Sequence, residues 1–316
     1  MIYTVTLNPA LDRELTVPDL VFDEVLRATA LRIDYGGKGF NVSRALAALG
    51  AESVALGFVG GKTGETLEAG LASLGIATCL TQVAEETRTN VSIVAENAAH
   101  HIKVNESGPT IAPSEQDTLT ARVDDLARPG DWWVLSGNLP PGVSDTIYAD
   151  LIERVHSAGA RAILDTSGAP LRHGCEAGPF LAKPNAQEAA DLTGLCLDAL
   201  EDVPAAAEAI HSLGVEIVLT SLGKRGALLS DGDNTWMAEP PEIEERNPIG
   251  AGDASVAGLV WGLSQGLPLP DVLRWSMACG AAAASLDGTA VGTYTMVESL
   301  VHQVRIVGWN QGSISA

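Results

Sequence analysis

The chain has 316 residues, enough for one large α/β domain or for one with a small accessory domain, and its 46% hydrophobic content is that of a folded globular protein. A formal net charge of -21 repels phosphate backbones and argues against nucleic-acid binding as the main role. No run approaches the roughly 20 apolar residues of a membrane helix, and the four separated cysteines (Cys79, Cys175, Cys196, Cys279) offer neither a C-x-x-C pair nor zinc-ligand spacing.

Met1-Ile-Tyr-Thr-Val-Thr-Leu7 lacks a basic n-region and reads as a strand, so a cytoplasmic protein with reduced thiols is expected. The segment from Leu11 to Asp34 has no helical periodicity and contains Pro18. Ser53 to Val59 is a short apolar run that suits a buried strand, and Leu67, Leu71 and Leu74 follow at helical spacing. Thr89 to Glu106 reads as a hairpin. Trp132-Trp-Val-Leu135 and Arg161-Ala-Ile-Leu164 are further strands around a helix carrying Ile147, Leu151, Ile152 and Val155. Ala205 to Leu213 reads as a helix and Glu216 to Thr220 as a strand. Ala254 to Gln265 and Asp271 to Leu286 are read as helices that make the end nearly all helical, with Gly308 to Ala316 as a loose tail. Repeated β-α units with buried strands predict a largely parallel sheet covered on both faces. The two strand-rich insertions predict a small separate sheet, placed as a lid over the strand ends and offering a dimer contact.

Phosphate chemistry is suggested by three loops. Four of the five lysines (Lys38, Lys62, Lys183, Lys224) lie beside glycine or proline in tight loops, where an acidic chain would hold a polyanion. Gly57-Phe-Val-Gly-Gly-Lys62-Thr63 imitates a Walker A loop but is one residue short, and is read as an ordinary turn. Gly250-Ala-Gly-Asp253 opens an apolar helix; its amides form an anion site and its aspartate can accept a hydroxyl proton, the bland alternative being a plain N-cap. Tyr35-Gly-Gly-Lys38-Gly-Phe-Asn41 offers flexible backbone, a cation and an amide before a helix, and Ser221 to Gly226 could lie against a nucleotide.

Taken together, these segments resemble the ribokinase-like PfkB carbohydrate kinases over about residues 1–305. The likeness is carried by Thr6-Leu-Asn-Pro-Ala-Leu-Asp12, Gly36-Gly-Lys-Gly-Phe-Asn41, Thr87-Arg-Thr-Asn90, Ser136-Gly-Asn-Leu-Pro-Pro-Gly142, Lys183-Pro-Asn-Ala-Gln-Glu188, Ser221-Leu-Gly223 and Gly250-Ala-Gly-Asp253. The Thr-Leu-Asn-Pro and Ser-Gly-x-Leu-Pro segments point to the 1-phosphofructokinase and tagatose-6-phosphate kinase branch. The resemblance implies a three-layer α/β/α domain (1–10, 36–87, 109–307), a β-sheet lid (11–35, 88–108) and a tail (308–316). It implies Asp253 as general base, with the amides of Gly250, Ala251 and Gly252 as anion hole. Asp12, Gly37, Lys38, Asn41, Arg88, Asn90, Ser136 and Gly137 would hold the sugar phosphate. Lys183, Asn185, Glu188, Ser221, Gly223 and Gly226 would hold ATP, with Glu188 reaching Mg²⁺ through water. Asn138 and Lys103 carry weaker claims and are assigned no role. Two departures from the family pattern, Phe40 and Pro248, are expected to lie close to the pocket.

The expected reaction is ATP-dependent phosphorylation of a ketohexose phosphate, fructose 1-phosphate to fructose 1,6-bisphosphate. A tagatose-6-phosphate or fructose-6-phosphate kinase is the same-class alternative, and a non-catalytic sugar-phosphate sensor the different-class one. The expected partners are a sugar phosphate, ATP and a second copy through the lid, with no nucleic acid and no membrane.

Overall fold

A computed structural model, which describes residues 1–96 and 100–309, folds the strand-then-helix pattern into one large sheet and one small one. The chain opens with β1 (Ile2–Thr6), crosses to the small sheet in β2 (Ala10–Val17) and β3 (Ala30–Gly36), and returns through α1 (Lys38–Ala48), β4 (Val54–Val59) and α2 (Gly61–Ser73). Two short strands, β5 (Ala77–Thr78) and β6 (Thr81–Gln82), precede the small-sheet strands β7 (Arg88–Ala95) and β8 (His101–Asn105). Alternating units follow: α3 (Pro113–Leu126), β9 (Trp132–Ser136), α4 (Ile147–Ser157), β10 (Arg161–Asp165), α5 (Gly168–Glu176), β11 (Leu181–Ala182), α6 (Ala186–Thr193), α7 (Val203–His211) and β12 (Ile217–Ser221). The antiparallel β13 (Ala227–Ser230) and β14 (Thr235–Glu239) lead into α8 (Ala251–Ser264), α9 (Leu269–Ala284), α10 (Tyr294–Val301) and β15 (Arg305–Gly308).

The large sheet has the order β15-β14-β13-β12-β11-β10-β9-β1-β4-β5, with β6 also on β4; it is parallel from β5 to β12 and antiparallel beyond. Its central strands read as unbroken apolar runs because helices cover both faces. Within those runs the residues still alternate. Trp132, Val134 and Ile163 face the core beneath α1, α8 and α9, whereas Trp133, Leu135 and Leu164 face the core beneath α3, α4 and α5. That alternation makes the three layers. Trp133 stacks on Tyr3 of β1 with ring centroids 4.3 Å apart, joining adjacent strands on one face.

The small sheet, β3-β2-β7-β8, pairs the two strand-rich insertions. Register assigns its two faces. Asp34, Asp12, Asn90 and Asn105 lie in one cross-strand row, with Arg32, Glu14, Ser92 and Lys103 in the next row on the same face. The opposite face carries Leu31, Leu15, Ile93 and Ile102 in one row, and Ile33, Arg13, Val91 and Val104 in the next.

Two expectations fail here. The chain does not end in helices alone: β15 pairs with β14, and the Trp309 amide donates to the Thr235 carbonyl at 2.8 Å. Gly308 therefore closes a strand rather than opening a tail; the remainder of the predicted tail, residues 310–316, lies outside the described residues. A four-residue strand pairing with a distant edge has no local periodicity to announce it. Phe40 is fully buried against Ala55, Val59 and Leu67, so this departure from the family pattern is a core residue and not a pocket one.

Candidate active site

Parallel strands leave a crevice at their carboxyl ends, and helix N-termini point into it. Here β1, β9 and β10 end together, and the polar face of the small sheet covers them, leaving a cavity of about 320 Å³. Asp12, Gly37, Lys38, Asn41, Arg88, Asn90, Gly137, Gly250 and Asp253 all line it. Residues 241 positions apart are thus brought to one site.

The Gly36-Gly37 pair explains how the sheets can meet. A Cβ on Gly36 would fall 2.0 Å from Asp12 Oδ2, so the missing side chain is the space the carboxylate occupies. Gly37 adopts φ 130°, outside the range of ordinary L residues, and turns the chain from β3 into α1. Asp12 accepts from Asn90 Nδ2 at 2.7 Å, and burial raises its pKa above the usual carboxylate value despite that bond. The other amide atom, Asn90 Oδ1, is buried with no partner among the described residues.

Asp253 lies in the first turn of α8, which Gly250 initiates at φ 83°. The Ala251 amide donates to the Pro248 carbonyl at 3.2 Å, while the next two amides are first-turn donors that a helix leaves without internal acceptors. Asn41 Nδ2 donates to Asp253 Oδ2 at 2.8 Å. Burial, reinforced by the Asp165 carboxylate, pushes the Asp253 pKa up to about 6 against the pull of Asn41, Lys38 and Lys183. A base at that value is unprotonated at neutral pH yet retains proton affinity.

Asp165, which sequence reading did not single out, organises the cations. Its carboxylate is fully buried at the end of β10, 3.4 Å from Lys38 Nζ and 3.2 Å from Lys183 Nζ. Burial alone would raise its pKa; the two ammonium groups outweigh that and hold it below the usual value. Burial likewise works against the Lys38 charge, but Asp165, Asp253 and Glu188 together keep its pKa above that of a free lysine. Only a local signal existed for it in the sequence, an aspartate ending an apolar strand run.

The Arg88 guanidinium is pinned by backbone carbonyls, donating to Asn8 at 2.8 Å, Glu106 at 3.0 Å and Pro9 at 3.4 Å. The nucleotide candidates lie beside the cavity, along the ends of β11 and β12. Asn185 caps α6 reciprocally with Glu188: Oδ1 accepts from the Glu188 amide at 2.9 Å and Glu188 Oε2 from the Asn185 amide at 2.8 Å. Asn185 bridges to Ser221, and the Ser221 amide donates to the Pro184 carbonyl at 3.0 Å. Gly223 and Gly226 flank the turn that follows, both at positive φ.

This arrangement has counterparts among known proteins. The pfkB family carbohydrate kinase model matches residues 6–296. The chain belongs to the pfkB family of carbohydrate kinases. It is 34% identical to the 1-phosphofructokinase of Bacillus subtilis (strain 168) over 306 residues, covering 97% of this chain and 99% of that one. Identity to the Rhodobacter capsulatus 1-phosphofructokinase is 37% over 278 residues, 88% of each chain. A crystal structure of phosphofructokinase-2 from Escherichia coli in complex with fructose-6-phosphate superposes with a TM-score of 0.89 at 31% identity, covering 95% of this chain and 98% of that one. The same Escherichia coli enzyme has been crystallised as a tetrameric inhibited form.

This pfkB kinase is accordingly a phosphotransferase with a hydroxyl acceptor, and ATP is its phosphoryl donor. Not every residue expected at its site reaches the cavity. Ser136 ends β9 with its hydroxyl buried and without a partner among the described residues, and it does not line the cavity although its register partner Thr6 does. Asn138 and Lys103, assigned no role from sequence, do line the cavity, as do Asn8 and Thr289. Lys62 and Lys224 are exposed and paired with Glu65 at 2.7 Å and Glu245 at 3.1 Å. Position beside glycine was thus a poorer guide than strand register, which Lys103 follows. Among the described residues no group of three acidic, His or Cys side chains could cage a metal ion, and no helix is long and apolar enough to cross a membrane.

Proposed function

We propose that this protein transfers the γ-phosphate of ATP to a hydroxyl of a phosphorylated ketohexose, converting fructose 1-phosphate to fructose 1,6-bisphosphate, with Asp253 as general base. The observation that carries the chemistry is the meeting of Asp253, at the amide end of α8, with Lys38 and Arg88 in one cavity. The hydroxyl proton passes to Asp253 as its oxygen attacks the γ-phosphorus. The first-turn amides of α8 and the Lys38 ammonium offset charge on the transferring group. Asp12, held by the Asn90 amide, accepts from a sugar hydroxyl, and Arg88 with Lys103 faces the sugar's own phosphate. Asp165 keeps Lys38 charged and holds both Lys38 and Lys183 in place. The small sheet excludes water that would otherwise compete for the phosphoryl group.

Lys183, Asn185, Glu188, Ser221, Gly223 and Gly226 form the ATP shelf in this reading. Mg²⁺ suits a site with one carboxylate plus waters and substrate phosphates rather than a protein cage. Glu188 has one oxygen committed to the Asn185 amide and the other available to hold such an ion through water. Such an ion, when bound, would offset negative charge on the ATP phosphates.

The choice of fructose 1-phosphate leans on the relatives of that name. The fold likeness to an enzyme crystallised with fructose-6-phosphate favours that sugar as the second reading. The sensor alternative is disfavoured by the intact Gly-Ala-Gly turn and its aspartate. The outer face of the small sheet, with Leu31 50%, Ile33 42% and Val104 60% exposed, supports a homodimer in which two such faces meet. ADP release with Mg-ATP, measured in parallel on fructose 1-phosphate, fructose 6-phosphate, tagatose 6-phosphate, fructose and ribose, tests the reading. Preference for fructose 1-phosphate supports it. Turnover with free sugars alone would overturn the role given to Arg88, and silence with retained ATP binding would favour the sensor.

A further inference from the structure

Arg44 has no assigned role, yet it touches the group that touches the base. It lies one turn after Asn41 on α1, with a side chain only 13% exposed. Its Nη1 donates to Asn41 Oδ1 and to Thr289 Oγ1, both at 3.2 Å. Its Nη2 lies 3.8 Å from Asp34 Oδ1 on β3 of the small sheet. Asp34 also accepts from Arg32 Nε at 3.0 Å, and Arg32 pairs with Glu14 at 3.1 Å. The guanidinium therefore joins α1, the loop between α9 and α10, and the small sheet.

The chemistry of an amide makes this contact consequential. Asn41 can face Asp253 with its NH₂ or with its oxygen. A guanidinium can only donate, so it selects the orientation in which Oδ1 points to Arg44 and Nδ2 to Asp253. The flipped amide would set donor against donor on one side and oxygen against carboxylate on the other. We propose that Arg44 is a positioning residue that fixes the Asn41 amide to donate to Asp253, and that its grip on Asp34 ties this orientation to the seating of the small sheet. The inference rests on Asp253 being the base and adds a device that couples the lid to it.

Charged groups around both ends bear on the test. Asp253 is faced by Asp165 from β10, Lys38 from α1 and Lys183 beyond β11; Arg44 is faced by Asp34 and Arg32 from β3, Asp12 from β2 and Asp253 from α8. Removing the Arg44 charge would raise the Asp253 pKa by simple Coulomb interaction too, so the experiment must separate the two effects. Asn41→Ala does so, since it leaves no amide to orient.

The measurement is kcat/KM against pH for wild type, Arg44→Met, Asn41→Ala and the double variant, with melting curves to show that each is folded. The acid limb in Arg44→Met is expected to move upward by about half a unit or more, with kcat reduced roughly tenfold. In the Asn41→Ala background, Arg44→Met is expected to add a clearly smaller shift, the Coulomb part alone. An unmoved limb, or an equal shift in both backgrounds, would overturn the positioning role. Asp34→Asn guards against an unfolded Arg44 variant and decides by sign. Loss of its negative charge alone would lower the limb, whereas loosening Arg44 raises it; a limb lowered or unmoved would remove the coupling to the small sheet. Asp253→Asn, assayed alongside, separates the two failures. If it retains wild-type turnover, the base reading falls and this proposal with it. If it is inactive while the limb stays put in Arg44→Met, only the positioning role fails.

Discussion

At the residue scale, the behaviour of Asp253 follows from burial set against hydrogen bonding. A carboxylate that must take up a proton has to be ionised beforehand, so turnover should be flat above its pKa of about 6 and fall tenfold per unit below it. A pH profile of kcat/KM checks this. Asp253→Asn is expected to lower kcat by roughly 10²- to 10⁴-fold while leaving ATP binding near wild type, read by steady-state kinetics and calorimetry. The same shift has a stability consequence. The folded state holds the proton more tightly than an unfolded chain, whose aspartate titrates near 3.8, so stability is lost as pH rises from about 4 to 6 and stays lost above. Asp253→Asn should therefore stabilise the ligand-free protein at pH 7.5 by on the order of 2 kcal/mol, visible as a rise in melting temperature that fades toward pH 4. Lys62 gives the opposite control. It is 88% exposed beside Glu65, and Lys62→Ala is expected to keep turnover within about twofold of wild type, as for most exposed substitutions.

At the element scale, close approach of backbone to side chain decides where the small sheet sits. Gly36 is the last residue of β3, and Asp12 on β2 fills the space its Cβ would take. Gly36→Ala should push that carboxylate out of the cavity. The expected result is a rise in KM for the sugar phosphate of about tenfold with KM for ATP little changed, since the ATP shelf lies on other strands. A change of equal size in both constants would mean that the two sheets had shifted together. The turn at Gly250 works differently: no neighbour blocks a Cβ there, and only its left-handed φ demands glycine.

At the scale of the whole molecule, the proposed homodimer contact on the outer face of the small sheet is open to a direct test. Ile93→Glu places a charge in the middle of the Leu31, Leu15, Ile93 and Ile102 row, and light scattering should then report half the wild-type mass at micromolar concentration. An unchanged dimeric mass would locate the contact elsewhere, and a monomeric wild type would remove it. The strongly acidic surface makes local cations count for more. Lys38, Arg88 and Lys103 gather in one cavity and focus attraction for anions there, while the surrounding charge repels them.

Much of this was legible in the chain itself, for local physical reasons. Buried parallel strands have to be apolar on both faces, so Trp132 to Leu135 and Arg161 to Leu164 announce themselves; glycines that permit a sharp turn before a helix mark Gly37 and Gly250 as possible phosphate contacts. Both depend only on residues near in sequence. The partnerships could not be read that way. Asp165 holding Lys38 and Lys183, Arg44 spanning Asn41, Thr289 and Asp34, and Lys103 in place of Lys62 all arise where strands distant in sequence end side by side. The pairing of β15 with β14 is of the same kind. The sequence by itself determined the strands and helices that carry their own periodicity and the turns that glycine permits, because periodicity and backbone freedom are local. Only the tertiary structure decided which charges meet, because that depends on strand order and on which face each register turns toward the cavity.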